Sequence, residues 1–260
     1  MLGNRPLGTV AKAAFQIRHY RVLMNSFLRY ERPLDGLLRY LFAAGAYPVA
    51  VPIRTPVGVV RPVIYSYHDM MTVSEIFCRE DYHCGEWIRT VVDFGSNIGV
   101  SALYFLTRNR ESFAYLFEPL PSNGERLLKN LHHFEGRYEF YPVAIALSDG
   151  EADFGFEETG RYGGLGLKRE KTIRVPCREV SSVLRGILEK RGEIDVLKID
   201  IESLEEEILT AIPRDLLRGI KQIFVEYNYG RNPVPLTHDY FQDWSIARFR
   251  RREASSIRSD

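Results

Sequence analysis

The chain has 260 residues and a formal net charge of +1; 45% of its residues are hydrophobic and 27% are charged. This is the mixture of a globular protein, and it excludes a disordered or fibrous chain. A net charge so close to zero gives no indication of a nucleic-acid partner, and we expect none.

The three cysteines are too few for a disulfide framework, and no signal peptide opens the sequence. The most apolar stretch, residues 37–51, contains Arg39 and Pro48 and is shorter than the roughly 20 residues of a membrane span. We therefore expect a cytoplasmic protein without a transmembrane segment.

The chain is predicted to begin with a helical segment, residues 1–46. Apolar residues recur there at intervals near three, four or seven between Gly8 and Phe42, and basic residues outnumber acidic ones. A basic amphipathic helix either lies on an anionic membrane surface or packs on the main domain with its charged face in water. The pattern leaves both open, so peripheral contact with a membrane stays among the expectations.

Three further segments follow. Prolines among valines at residues 47–61 exclude a helix and permit short edge strands. A short helix at residues 70–86 completes a lead-in segment, residues 47–89. The main domain is predicted at residues 90–247, and the basic, then Ser-rich tail, residues 248–260, is expected to be frayed.

The main domain alternates strand-like and helix-like patterns. Strands are predicted at residues 91–94, 113–117, 138–147, 152–156, 173–176, 194–199 and 220–227. Helices are predicted at residues 98–107, 121–131, 180–190 and 204–212. This alternation predicts an α/β fold with a mostly parallel sheet and helices on both faces. In such sheets ligands bind outside the carboxyl ends of the strands.

The turn from the first strand of this domain into its first helix has the features of a ligand loop. Gly95 permits a sharp turn, Asn97 supplies a side-chain amide, and Gly99 allows close contact with a helix. Asp93 and Ile98 occupy two glycine positions of the G-x-G-x-x-G fingerprint, which disfavours a pyrophosphate ligand. An acidic residue at the strand end suits a cationic ligand instead.

A second acidic residue, Glu118, ends the next strand, 25 residues after Asp93. A carboxylate at that position can accept hydrogen bonds from both hydroxyls of a ribose. An adenine ring is then expected near Ala144 and Ser148, after the third strand.

Four ordered strings, VVDFGSNIGVSALYF, YLFEPLPSNGERLLKNL, VAIALSDGEADF and IDVLKIDIESLEEEIL, resemble the FkbM family of methyltransferases. The stretch HDMMTVSEIFCREDY also resembles a segment that precedes the core in that family. The resemblance implies a class I Rossmann-like fold, S-adenosylmethionine as cofactor and methyl donor, and O-methylation of hydroxyls, often on sugars or polyketides. It assigns the ribose to Glu118 and the methionine end of the cofactor to Asp93, Gly95, Asn97 and Gly99. Ser96, in the same loop, completes the predicted cofactor site.

Two features depart from the family pattern. Ser203 stands where the motif K-I-D-x-E-G commonly has glycine, and a larger residue there narrows the acceptor site. Only about 33 residues follow Tyr227, with Pro233 and Pro235 among them, which leaves little room for the last antiparallel strand pair. An incomplete sheet edge is open to a partner chain, so a homo-oligomer is among the expectations.

Methyl transfer to a hydroxyl requires alignment of the acceptor and a group that removes its proton. We predict that Asp200 contacts the acceptor or the cofactor and that Glu202 is the base or orients the acceptor. Glu226 ends the following strand and is predicted to share this site, and His238 is a further candidate base. Asp200 and Glu202 also fit a simpler role as charges at a helix N-terminus. No metal ion is predicted.

The Gly-rich residues 160–166 fit either a lid over the acceptor or an ordinary hairpin turn. The sequence thus favours an O-methyltransferase acting on a small molecule, such as a saccharide, a glycolipid or a polyketide-like product. Two alternatives stay open at this point: a cofactor-binding module without turnover and a nucleotide-dependent oxidoreductase.

Overall fold

The computed structural model describes residues 17–158, 160 and 162–253, with side chains from residue 20 onward. The helices are α1 (Ile17–Arg29), α2 (Pro33–Phe42), α3 (Tyr67–Val73), α4 (Val100–Leu106), α5 (Pro121–Leu131), α6 (Val180–Arg191), α7 (Glu205–Ala211) and α8 (Arg214–Arg218). A π-helix (Ser74–Arg79) continues α3, and a 3-10 helix (His132–Phe134) follows α5. The predicted helical residues 8–16 and the tail residues 254–260 lie outside the described residues.

The strands comprise four short ones near the start, β1 (Val49–Ala50), β2 (Ile53–Thr55), β3 (Gly58–Val60) and β4 (Val63–Ile64). The others are β5 (Thr90–Phe94), β6 (Phe113–Phe117), β7 (Tyr138–Tyr141), β8 (Ala144–Ala146), β9 (Gly150–Phe156), β10 (Gly163–Leu165), β11 (Lys171–Glu179), β12 (Ile194–Ile199), β13 (Ile220–Glu226), β14 (His238–Asp243) and β15 (Ile246–Arg251).

The main sheet has seven strands in the order β14-β15-β13-β12-β5-β6-β7. Every pairing is parallel except the two made by β15, which runs antiparallel to both β13 and β14. The predicted mostly parallel α/β sheet is therefore confirmed. The carboxyl ends of β5, β6, β12 and β13 lie along one edge, because parallel neighbours end on the same side.

The sheet is buried on both faces, and the alternation of side chains divides the core in two. Val91 and Val196 face one apolar cluster, which α4, α5 and the N-terminal helices cover. Val92 and Leu197 face the other cluster, which α6, α7 and α8 cover. The predicted helices on both faces of the sheet are thus present, and the near-continuous apolar runs of β5 and β12 follow from burial on both sides.

The lead-in segment forms the short strands that its prolines predicted. The following helix starts earlier than expected, at Tyr67, because Ser66 forms a capping box with Asp69. It continues as the π-helix to Arg79, where Glu80 takes a left-handed conformation with φ of 62° and ends it. Helix α1 packs against this π-helix.

The predicted strand at residues 138–147 is two strands in two different sheets. Pro142, which has no N–H to donate, breaks the run. Strand β7 stays at the edge of the main sheet, whereas β8 pairs with β11 in a smaller four-stranded sheet of order β10-β9-β11-β8. The prediction of a single strand was wrong, because the apolar pattern does not indicate which sheet each half of the run joins.

The last antiparallel strand pair is present, contrary to expectation. Strands β14 and β15 pair along their full length, and β15 pairs with β13 up to Arg250. The expected tail boundary at residue 248 was also wrong, because β15 runs to Arg251. Its arginines alternate with the buried Ala247 and Phe249. This is the two-residue alternation of a strand, which the basic composition of the segment obscured. The sheet edge assigned to a partner chain is formed by β14 of the same chain.

No helix within the described ranges has both the length and the apolar character needed to cross a membrane.

Candidate active site

A cavity of about 290 Å³ opens at the carboxyl ends of β5, β6, β12 and β13. The loops after these strands form its floor. The β9–β10 hairpin, the π-helix and the turn between β14 and β15 form the remaining walls. The predicted site residues that line it are Gly95, Ser96, Asn97, Glu118, Ala144, Asp200, Glu202 and Glu226.

The loop after β5 can form only with glycine at position 95. Gly95 has a φ of 78°, and a Cβ there would lie 1.8 Å from the backbone oxygen of Asp200. The N–H groups of Gly95 and Ser96 both donate to the carbonyl of Phe117 at 3.0 Å. These contacts fix the loop between β6 and β12 and direct its next residues into the cavity.

Gly99 serves the packing of the loop and does not line the cavity. Its φ is 86°, and a Cβ would lie 3.2 Å from Leu127 Cγ on α5. The close helix contact predicted for this glycine is present. Between the two glycines, Asn97 has a φ of 48°, and its Oδ1 accepts a hydrogen bond from the N–H of Ile98 at 2.7 Å.

Glu118 is a buried carboxyl group on the cavity wall. Its Oε2 accepts a hydrogen bond from the N–H of Asn97 at 3.0 Å, and its Oε1 accepts one from Leu120 at 3.0 Å. Burial raises the pKa of Glu118 to about 7, although these N–H groups act in the opposite direction. Asn123 Nδ2 also donates to Oε1, at 3.4 Å. A carboxylate oxygen has two lone pairs, so Oε2 keeps the capacity to accept a ligand hydroxyl.

Asp93 lies beneath the loop and not on the cavity wall. It is fully buried, its Oδ2 accepts a hydrogen bond from Ser101 Oγ at 2.6 Å, and its Oδ1 lies 3.1 Å from Lys198 Nζ. Lys198 is the direct cross-strand neighbour of Asp93 on β12. The predicted direct contact of Asp93 with a ligand is therefore corrected. Asp93 supports the loop from below, and the ammonium group of Lys198 stabilises its buried carboxylate.

Lys198 joins the loop to the acidic residues of the site. Its Nζ lies 3.1 Å from Asp200 Oδ2 and donates to the carbonyl of Gly95 at 2.9 Å. Burial by itself lowers the pKa of Lys198, but the attraction of Asp200 and Asp93 outweighs it and raises that pKa above its ordinary value. The ammonium group therefore stays charged and holds both carboxylates in place.

Asp200 and Glu226 form a coupled carboxyl pair. The negative charge of Asp200 is the main cause that raises the pKa of Glu226, burial adds to it, and the two groups share a hydrogen bond. Asp200 Oδ2 also accepts a hydrogen bond from Tyr82 Oη at 3.2 Å. Glu226 therefore holds its proton more tightly than an isolated carboxyl group does, and Lys198 lies beside the other member of the pair.

Glu202 projects from the loop after β12 with a φ of 66°, in the left-handed region that residues other than glycine rarely adopt. Backbone strain of this kind is held in place by the surrounding structure and occurs often at functional sites. Its neighbour Ser203 lies close to the β9–β10 hairpin: a Cβ at Gly164 in β10 would lie 2.8 Å from Ser203 Oγ. Among the described residues, this buried hydroxyl has no hydrogen-bond partner.

Sequence reasoning missed the contribution of the π-helix and the residues after it. Arg79 lines the cavity, with its Nε donating to Asp81 Oδ1 at 2.6 Å and its Nη2 lying 3.5 Å from Glu75 Oε1. Tyr82 lines it as well. The only signal in the sequence for these residues was the string HDMMTVSEIFCREDY. Its resemblance to the family does not indicate which of its side chains line the cavity.

Two predicted residues lie away from the cavity. Ser148 is exposed, because β8 ends at Ala146 and the chain turns there toward β9. His238 is buried at the opposite end of β13, where its Nε2 contacts the carbonyl of Ile220 at 3.1 Å. Burial lowers the pKa of His238 to about 4, so it stays neutral and structural. Its position does not suit a base, and its low pKa makes it a weak proton acceptor.

The Gly-rich residues and the late strand pair contribute to the walls. Gly163–Leu165 form β10, which pairs with β9, so the described residues 160 and 162–166 belong to a hairpin that covers the cavity; residue 161 lies outside the described set. Ser245 and Ile246, at the turn into β15, line the opposite wall. No three His, Cys, Asp or Glu side chains in the described part of the chain are arranged to hold a metal ion.

A parallel sheet with one antiparallel strand next to its edge, and a glycine loop beside a buried acid, defines a class I methyltransferase fold. The model of the Methyltransferase FkbM domain matches residues 93–244, more than half of the chain. The chain belongs to the FkbM methyltransferase family.

The relatives include the AMB antimetabolite synthetase AmbE of Pseudomonas aeruginosa, which is 23% identical over 181 residues. That match covers 55% of this chain but 8% of the synthetase, so the chain spans a small part of that relative.

Three solved structures are similar to this chain. A methyltransferase from Geobacter sulfurreducens is 14% identical with a TM-score of 0.38, covering 65% of this chain and 73% of that one. An O-methyltransferase family protein from Burkholderia thailandensis is 12% identical with a TM-score of 0.38, covering 72% and 60%. A putative rRNA methylase from Clostridium thermocellum is 8% identical with a TM-score of 0.40, covering 70% and 94%.

Proposed function

We propose that the protein is an S-adenosylmethionine-dependent O-methyltransferase that acts on a hydroxyl group of a small molecule. A saccharide, a glycolipid or a polyketide-like product is the proposed class of acceptor. One observation carries the proposal: a glycine loop, a buried carboxyl group and an acidic pair line a single cavity at the carboxyl ends of the central strands.

The residues of the loop fit the proposed cofactor. The absent Cβ at Gly95 leaves the backbone close to the cavity, and Glu118 Oε2 keeps a lone pair for a ribose hydroxyl. Ala144 and Ile145 supply an apolar wall for an adenine ring. S-adenosylmethionine supplies an electrophilic methyl group on a cationic sulfonium when it is bound. The acidic residues around the cavity favour a cation by Coulomb attraction.

The acidic residues after β12 and β13 are proposed to handle the acceptor. Asp200 is held in a fixed orientation by Lys198 and Tyr82, so it is proposed to position the acceptor hydroxyl. Glu202 is exposed on the cavity wall and is proposed to take the hydroxyl proton. Glu226 keeps its own proton and donates a hydrogen bond to Asp200, which fixes the orientation of the pair.

The cofactor part of the proposal is tested by calorimetric titration with S-adenosylhomocysteine, with NAD as a control ligand. We expect micromolar binding of S-adenosylhomocysteine by the wild type, and binding at least about tenfold weaker in Glu118→Ala, because a charge-assisted ribose contact is lost. Asp149→Ala is the matched control, since Asp149 is an exposed carboxylate outside the cavity. An absence of S-adenosylhomocysteine binding overturns the proposed cofactor, and NAD binding in its place favours an oxidoreductase.

The chemical part is tested with a labelled methyl donor and a panel of hydroxylated acceptors. We expect label transfer to an acceptor oxygen, lost in Glu202→Gln while S-adenosylhomocysteine binding is kept. Binding of S-adenosylhomocysteine without transfer to any acceptor instead favours a cofactor-binding module without turnover.

A further inference from the structure

Helix α1 exposes an apolar face that no other element among residues 17–158, 160 and 162–253 covers. Leu23, Met24, Phe27 and Leu28 recur one turn apart, and their exposed fractions are 38%, 72%, 53% and 69%. The opposite face of α1, which carries the buried Val22, packs on the π-helix. Scattered apolar residues on a surface are ordinary, whereas a continuous stripe along one helix marks an interaction surface.

The charges around this face are cationic. The first 30 residues of the sequence contain no Asp or Glu and five basic residues, Arg5, Lys12, Arg18, Arg21 and Arg29. Arg21 lies two turns before Leu28, at the edge of the apolar stripe, and about half of its side chain is exposed. An apolar stripe bordered by arginines is the pattern of helices that lie in the plane of a membrane interface.

The ion pairs of α1 orient the helix on the protein and keep the apolar stripe outward. Arg29 and Arg21 both bind Glu80, at 2.6 Å and 3.1 Å, and Asn25 donates to the carbonyl of Cys78 at 2.7 Å. These contacts anchor one side of α1 to the π-helix and the residue that ends it. The same π-helix lines the cavity on its other side. The exposed face therefore lies one helix away from the active site.

We propose that α1 binds the surface of an anionic lipid bilayer, with its apolar face inserted among the headgroups and the exposed half of Arg21 toward the phosphates. A second copy of the chain is the less suitable occupant. The helix itself contains no acidic residue, and the single carboxylate of Glu80 faces both Arg21 and Arg29, so two paired copies of α1 would each carry an excess of positive charge. Anionic headgroups compensate this excess. The proposal goes beyond methyl transfer and does not depend on it.

The test is flotation of the full-length protein with vesicles of phosphatidylcholine alone or mixed with phosphatidylglycerol. We expect binding to the mixed vesicles that weakens as salt rises, because salt screens the attraction of arginines to headgroups. Met24→Gln/Leu28→Gln should weaken that binding by about tenfold or more, since two inserted apolar side chains are lost. Phe241→Gln, at an exposed position of β14, is the matched control and should bind as the wild type does.

Circular dichroism of each variant verifies that the helices are intact. The proposal is overturned when the wild type does not float with the mixed vesicles, or when the double variant floats as well as the wild type. A dimer in light scattering that the double variant dissociates, together with no flotation, assigns the face to a second copy and overturns the proposal as well. None of these experiments measures methyl transfer. A failure of the membrane proposal can therefore be distinguished from a failure of the proposed enzymatic function.

Discussion

Replacement of Lys198 by methionine tests the buried ionic core of the site. Lys198 is 2% exposed and lies 3.1 Å from both Asp93 and Asp200, and Asp93 is fully buried. Methionine fills nearly the same volume but leaves the Asp93 carboxylate with Ser101 as its remaining side-chain partner. Removal of one partner from a buried ion pair costs about 3–5 kcal/mol. We expect a loss of this size in the free energy of unfolding.

The assay is urea unfolding followed by circular dichroism, with Lys171→Met as the control. Lys171 pairs with Glu158 at 3.7 Å, and both side chains are more than half exposed. A surface pair of this kind contributes at most about 1 kcal/mol. The double variant Lys198→Met/Asp93→Asn should recover part of the loss, because it removes the uncompensated charge. A loss below about 1 kcal/mol for Lys198→Met would refute the reasoning.

The remaining predictions concern three single positions. The pKa of Glu118 is raised from 4.5 to about 7, so the folded state binds this proton more tightly than the unfolded state does. The free energy of unfolding should therefore fall by roughly 3 kcal/mol as the pH rises from 4.5 to 7. Urea unfolding at several pH values should show that Glu118→Gln removes this part of the decline; an unchanged profile contradicts it. Gly95→Ala should abolish S-adenosylhomocysteine binding and lower the melting temperature, because its Cβ would overlap the Asp200 carbonyl. The control Gly186→Ala, in α6 with open space around it, should raise the free energy of unfolding by about 1 kcal/mol. Equal melting temperatures for the two variants argue against the overlap. Ser203→Ala should raise the free energy of unfolding by about 1 kcal/mol, since its buried hydroxyl has no partner among the described residues, and a destabilised variant would show that the hydroxyl is satisfied.

The alternation of strands and helices was predictable because each element of a doubly covered parallel sheet carries its own local pattern. Strands β6 and β12 have the predicted bounds, and α5 begins at its predicted proline. The order of the strands was not predicted, because no local pattern indicates which strands are neighbours in the sheet. The β14–β15 pair escaped prediction because its alternation is short and its outward residues are arginines.

Part of the candidate site was predictable for the same reason. The glycine loop and Glu118 sit directly at strand ends, where chain order alone places them on the ligand edge of the sheet. Tyr82 and Arg79 were not predictable in this way. They enter the cavity from a segment before the first strand of the main domain, and nothing local indicates which wall that segment forms.

The sequence by itself determined the α/β class, the glycine loop and the acid that follows the second main strand, because these depend on residues close together in the chain. Only the tertiary structure decided what the charged residues do. Asp93 and Lys198 lie 105 positions apart, yet β5 and β12 are neighbours, and that pairing turns an expected ligand contact into a buried ion pair. Tyr82 reaches Asp200 across 118 positions. The raised pKa values of Glu118 and Glu226 likewise come from burial and from neighbours distant in the chain, because Coulomb interactions and burial depend on distance in space.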